Sequence, residues 1–142
     1  MILYHGSTVI VKNPKIIVPQ RHLDFGKGFY CTTERSQAES WARIKQKREA
    51  NKTSAIVSVY SIDDAIFLDK NIMIKIFESA TEEWLDFIIA NRNGHSTFNF
   101  DIVKGPVAND TLYASLALYE TGILTKEETI KRLKTHKLFD QI

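Results

Sequence analysis

Apolar and polar positions follow two periods along this chain. Ile2 to Tyr4 is a short apolar run that meets His5, Gly6 and Ser7, so a first strand is expected to stop there. Phe29 to Thr32 reads as a second strand, and Ala55 to Ile62, β-branched and apolar, as a central one. Ile66 to Leu68 and Phe100 to Val103 read as further short strands, the latter stopped by Gly105 and Pro106. Residues 8–27 carry Pro14, Pro19 and Gly26 and read as a long functional loop with a short strand at Ile16 to Val18.

Helical spacing takes over between these runs. Glu34 to about Arg48 places Ala38, Trp41, Ala42 and Lys45 at helical intervals, with Thr33 as its cap and a basic outer face of Arg43, Lys45, Lys47 and Arg48. Thr81 to Asn91 is the clearest helix, with Trp84, Leu85, Ile88 and Ile89 on one side. Asp110 can cap a helix over Thr111 to Tyr119 that Gly122 ends. Thr125 and Glu128 form a capping box for another, running to about His136. Leu138 to Ile142 has the look of a strand beginning where the chain stops. The pattern is an α+β fold in a single domain, residues 1–142, without repeats.

Composition narrows the function. Charged residues are 25% and net charge is +2, which does not argue for a nucleic-acid surface. No apolar run approaches the ~18 residues of a membrane span, and the N-terminus lacks a leader. The one cysteine, Cys31, excludes an internal disulfide and points to a cytoplasmic setting. Cys31 should face away from Tyr30 and serve as a core residue rather than a nucleophile. The histidines at 5, 22, 95 and 136 have no zinc-ligand spacing.

Two segments carry candidate chemistry. In the first, the His5 imidazole can donate to a sugar hydroxyl, and Ser7 adds a hydroxyl. Gly6, lacking a Cβ, lets a carboxamide reach its main-chain N–H and C=O. In the second, Gly26, Lys27 and Gly28 make a tight turn that is neither a Walker loop nor a G-x-G-x-x-G fingerprint, since Tyr30 stands where the third glycine would be. Asp24 and Arg21 can hold that turn by charge. Phe29 and Tyr30 point to opposite faces, so one of them can meet a ligand.

Tyr4-His5-Gly6-Ser7 followed by Phe25-Gly26-Lys27-Gly28-Phe29-Tyr30 resembles the NAD-binding core of the poly-ADP-ribose polymerase and diphtheria-toxin-like ADP-ribosyltransferases, which carry W-H-G-S and then F-G-K-G-I-Y. The chain is also similar, over most of its length, to the bacterial family of domain of unknown function 3990. That likeness rests on Asp24 to Tyr30, Gln37-Ala38 with Trp41-Ala42, Trp84 to Phe87 with Asn91-Arg92, and Asp101 to Val103 with Gly105 to Asp110.

The resemblance implies a split β-sheet core flanked by helices, with NAD as substrate. It implies a toxin-type transfer of ADP-ribose to a protein or nucleic-acid target, with a small neighbouring antitoxin-like protein as a further partner. His5 and Ser7 would hold the ribose, Gly6 the carboxamide, and Gly26 and Gly28 the approach to the cofactor. Tyr30 and Trp41, eleven positions apart as in the polymerases, would sandwich the nicotinamide. The His5 and Tyr30 rings are then expected side by side in one cleft. The polymerases place a glutamate at the start of a late strand, and this chain has none there. Asp101 or Gln141 is the counterpart, and the last strand is expected to be missing. Asn91 and Arg92, ending a helix, can contact phosphate or target, although a helix-terminal Arg also serves the helix carbonyls. The alternative is a non-catalytic NAD or ADP-ribose binder, or a protein-interaction module.

Overall fold

A computed structural model describes residues 1–16, 23–49, 54–95, 99–107, 117–133 and 140–141. The order is β1 (Ile2–Ser7), α1 (Arg35–Arg48), β2 (Ile56–Ser61), a 3-10 turn (Asp64–Leu68), β3 (Ile74–Ile76), α2 (Glu82–Arg92), β4 (Ile102–Pro106), α3 with residues 117–120 described, α4 (Lys126–Leu133) and β5 (Asp140–Gln141). The class is α+β. β1 and β2 form an antiparallel pair, and β3, β4 and β5 form a second sheet, with β4 parallel to β3 and antiparallel to β5.

The core is built on α2. Its apolar stripe buries Trp84, Leu85 and Ile88 completely, against Phe77, Ala80 and Phe87. Each such side chain contributes about 1.5–3 kcal/mol by leaving water. The Thr81 hydroxyl accepts the Trp84 N–H and starts the helix. The Trp84 indole N–H donates to the Pro106 carbonyl at 3.0 Å, tying α2 to β4. Phe25, from the glycine loop, and Phe100 pack on the same cluster.

α1 lies on β1 through small residues. Ala38 and Ala42 are buried, and Gly6 sits directly beneath them. A Cβ on Gly6 would lie 2.0 Å from the Ala38 carbonyl oxygen, so only glycine admits the helix this close. The residues on its outer face, Arg43, Lys45, Lys47 and Arg48, are exposed as expected.

Several elements depart from the periodic reading. β1 ends at Ser7, so the His5 to Ser7 segment closes the strand rather than following it. His5, Gly6 and Ser7 pair with Ser58, Val57 and Ile56 and lie inside the strand. Phe29 to Thr32 is not a strand, because it makes only one bridge, Tyr4 with Thr32. Among the described residues β2 pairs with β1. Ile66 to Leu68 belongs to the 3-10 turn, where the Asp63 carboxylate accepts the Ala65 N–H and local capping overrides β-branching. β4 runs through Gly105 and Pro106 instead of stopping before them. Thr33 does not cap α1, and the hydroxyl at the entry is that of Thr32, which accepts from Glu34 N–H.

Other expectations hold. Gly122 has φ +80° and its N–H returns to the Tyr119 carbonyl, closing α3. Thr125 and Glu128 form the capping box of α4. The expected strand at 16–18, the Asp110 cap, most of helix 111–119 and the helix end near His136 lie outside the described residues, as do Arg21 and His22.

Candidate functional site

The hydrogen-bond alternation of β1 decides what its edge presents. Met1 and Ile62 exchange main-chain bonds in both directions, at 2.9 and 3.0 Å. In an antiparallel ladder every second pair does so, which makes Leu3–Tyr60, His5–Ser58 and Ser7–Ile56 the bonded pairs. The N–H and C=O of Tyr4 and Gly6 therefore point away from β2. Tyr4 meets Thr32 there, with both bonds at 2.9 Å. Continued pairing would join Gly6 to Tyr30. Instead the Tyr30 carbonyl turns to the His5 imidazole, 2.6 Å from Nδ1. The strand pairing is prised apart at that point, and the Gly6 main chain faces the gap.

The same contact fixes His5. A carbonyl only accepts, so Nδ1 carries the proton and Nε2 of the neutral ring is an acceptor. Burial holds the imidazole below its usual pKa of 6.5, the Tyr30 carbonyl opposes that shift, and the nearby Lys45 charge adds to it. With Nδ1 engaged by the Tyr30 carbonyl, Nε2 is the nitrogen that can accept a hydrogen bond. Ser7, two residues on along β1, lies on the same face and is buried.

The ring that meets His5 is Phe29, stacked at 4.2 Å between centroids, with Tyr60 edge-on behind it at 5.8 Å. Tyr30 turns the other way. Its hydroxyl donates to the Gly26 carbonyl at 2.6 Å and accepts the Phe25 N–H at 2.9 Å. The expected side-by-side His5 and Tyr30 rings do not occur: Tyr30 reaches His5 through its main chain, and its ring closes the glycine loop. Phe29 was legible only as one of two alternating aromatics. The alternation itself, applied to a His on the neighbouring strand, is the signal that would have paired them.

Gly26 has φ +84°, and a Cβ there would meet the Asn91 side-chain oxygen at 3.1 Å. Asn91 is buried, with its amide N–H donating to the Phe87 carbonyl. It buttresses the loop from the end of α2 rather than facing solvent. Gly28 has room for a Cβ, with Tyr30 Cε2 the nearest atom at 3.8 Å.

A cleft of about 60 Å³ lies between the loop and β4, lined by Lys27, Gly28, Phe29, Tyr30, Phe100 and Asp101 among others. That volume suits one or two waters rather than a nicotinamide ring. Asp101 is exposed at its rim, and its carboxylate accepts the Met73 N–H at 2.8 Å. Gln141 stands on β5 opposite Gly105. Trp41 is half-buried on α1, one position before Ala42, and does not line this cleft. The structure thus joins His5, Phe29 and the Tyr30 main chain at one end, and Tyr30, Gly28 and Asp101 at the other.

Cys31 is buried, which pushes its thiol up to about 11 and makes it inert. No group of three potential metal ligands occurs among the described residues, and no described helix is long and apolar enough to cross a membrane.

The profile of the family described as protein of unknown function (DUF3990) matches residues 1–142, and the chain belongs to that family. No curated protein and no solved structure matches it.

Proposed function

We propose that this member of the DUF3990 family is an NAD-dependent ADP-ribosyltransferase-like protein of toxin type, which transfers ADP-ribose to a protein or nucleic-acid target. The observation that supports it is the Gly6 main chain, turned into the gap where Tyr30 leaves β1, beside a neutral His5 of fixed tautomer. A carboxamide is one donor and one acceptor in a plane, and the N–H and C=O of one strand residue are its complement. The His5 Nε2 would accept from a ribose hydroxyl, with Ser7 on the same face.

The chemistry asks little covalent help. The bond between the nicotinamide nitrogen and the ribose C1′ breaks, and its electron pair leaves with neutral nicotinamide. The cationic sugar is captured by a nucleophile of the target, which gives up its proton. Positioning and negative charge near C1′ are the requirements. Asp101, or a group near Gln141, would supply the charge. Binding would have to widen the cleft beside Tyr30 for that ring, with Trp41, to reach the base.

A second reading, a non-catalytic NAD or ADP-ribose binder, is favoured by one observation. The Asp101 carboxylate is already engaged with the Met73 amide, as a structural cap at the start of β3 would be.

Nicotinamide release from NAD separates these readings, with Asp101→Asn as the control. Release that Asp101→Asn abolishes supports the transferase with Asp101 in the third role. A ligand-induced rise in melting temperature without release supports the binder. Neither release nor a shift with millimolar NAD or ADP-ribose refutes both, leaving an interaction module of a toxin–antitoxin-like system. Where nicotinamide is released, intact-mass analysis after incubation with NAD and lysate finds the modified target.

A further inference from the structure

We propose that Lys45 holds the pyrophosphate of NAD beside the Gly6 gap, so that the site takes a phosphate-bearing nicotinamide nucleotide in preference to the bare nucleoside. The inference rests on the reading of that gap as the NAD site, and it holds for a transferase and for a non-catalytic binder alike.

α1 and β1 run side by side in the same direction. Thr32 bridges Tyr4, and its hydroxyl accepts the Glu34 N–H where the helix begins. Gly6 lies beneath Ala38 and Ala42, and the Thr8 hydroxyl donates to the Glu49 carboxylate at the helix end. At about 100° per residue, Lys45 falls about 20° from Ala38 and about 60° from Ala42 around the axis. It continues the stripe that faces β1, about 4.5 Å beyond Ala42 along the helix. Helical side chains lean toward the N-terminus, which brings Lys45 back toward the level of Gly6. The exposed basic residues of α1 are therefore not one face. Arg43 and Lys47 each fall about 160° from Lys45, on the side away from β1.

The flank that Lys45 occupies is the one toward the gap. Trp41 shares it, about 40° away, whereas Glu39 and Gln46 lie on the other side of the Ala38 and Ala42 stripe. Of the cations on α1, Lys45 is the one whose charge bears on His5. The His5 imidazole in turn meets the Tyr30 carbonyl at the open edge of β1, where the Gly6 main chain is exposed to the gap. Among the described residues Lys45 makes no ion pair. The carboxylates nearest in the helix are engaged elsewhere, Glu49 by the Thr8 hydroxyl and Glu39 by Arg35 and Arg43. The ammonium is thus left to act on what enters the gap.

The covalent order of the ligand matches the order of these residues. With the carboxamide on Gly6 and a ribose hydroxyl on His5 Nε2, the pyrophosphate follows on the 5′ carbon of that same ribose. It is the next group after the one that His5 holds, and Lys45 is the cation beside His5. A lysine brings a full charge and three N–H donors on a flexible stem, which suits a phosphate whose oxygens offer no fixed fork. Nicotinamide riboside carries the carboxamide and the ribose and lacks the anion, so the difference between the two ligands isolates the part played by Lys45.

The test titrates NAD and nicotinamide riboside into the full chain by calorimetry at low ionic strength, in wild type, Lys45→Gln and Lys47→Gln. NAD should bind about tenfold tighter than the riboside, the worth of about one hydrogen bond to a charged group. Lys45→Gln should lose about that factor for NAD and nothing for the riboside, and Lys47→Gln should change neither. A proton NMR titration of the ligand-free chain adds a second readout. Removing the cation should raise the His5 pKa in Lys45→Gln and leave it in place in Lys47→Gln. Equal affinity for the two ligands, an equal loss for both in Lys45→Gln, or the same loss in Lys47→Gln overturns the assignment of Lys45 while the NAD reading stands. Unchanged NAD affinity in Lys45→Gln, or an unmoved His5 pKa there, does the same. If neither ligand binds at millimolar concentration, the NAD reading fails and this assignment fails with it.

Discussion

Gly6→Ala is the sharpest perturbation of this fold. The added methyl would sit 2.0 Å from the Ala38 carbonyl oxygen and 2.8 Å from the Ala42 nitrogen. Both are main-chain atoms inside α1, so no side-chain rotation relieves the contact. The helix must lift by about 1 Å to restore an ordinary separation, a rigid shift of the kind that costs typically 1–3 kcal/mol or more in a packed interface. Ala38 and Ala42 would lose part of their contact with β1 at the same time. For a domain of this size, about 1 kcal/mol moves the melting temperature by roughly 2–4 °C. A drop of about 5–10 °C is therefore expected in a thermal melt followed by circular dichroism. Gly28→Ala is the matched control, since its Cβ meets nothing closer than 3.8 Å and should change stability by less than about 0.5 kcal/mol. Equal melting temperatures for Gly6→Ala and wild type would show that α1 does not rest on Gly6 as described.

His5 makes stability depend on pH. Its folded pKa lies below 6.5, so the unfolded chain takes up the proton first as pH falls. Stability from this group is full above the unfolded value and is lost between 6.5 and the lower folded value, and a urea midpoint series should flatten over that interval in His5→Asn. Tyr30→Phe removes the hydroxyl that bridges Gly26 and Phe25 and should cost about 1–2 kcal/mol, with faster hydrogen exchange at the Phe25 amide; unchanged exchange would rule out the loop-closing role. Cys31 should resist a thiol reagent at pH 8 in the native state and react promptly in denaturant, because burial keeps the thiol protonated. Fast native labelling would contradict its placement.

Much of this chain was decided within short stretches of sequence. α2 follows from Trp84, Leu85 and Ile88 spaced three and four apart behind a Thr81 cap, and all three are fully buried. α4 follows from Thr125 and Glu128. Helices close their own hydrogen bonds, so spacing and caps suffice to find them. The glycine loop was legible as a turn because Gly26 alone tolerates its φ.

Strands need a partner that the local sequence does not name. β1 extends through Ser7 because Ile56 is opposite, and Phe29 to Thr32 fails as a strand because only Thr32 finds Tyr4. The apolar run of β2 looks the same whether it lies at the centre or at an edge. The candidate site was half readable for this reason. His5, Gly6 and Tyr30 stood out by residue type, but only the tertiary structure turned the Tyr30 carbonyl to His5. It also laid Phe29 on the imidazole and left the Gly6 main chain facing the gap. Those outcomes depend on which of two competing acceptors and donors meet across 25 residues of chain, and no local period encodes that choice.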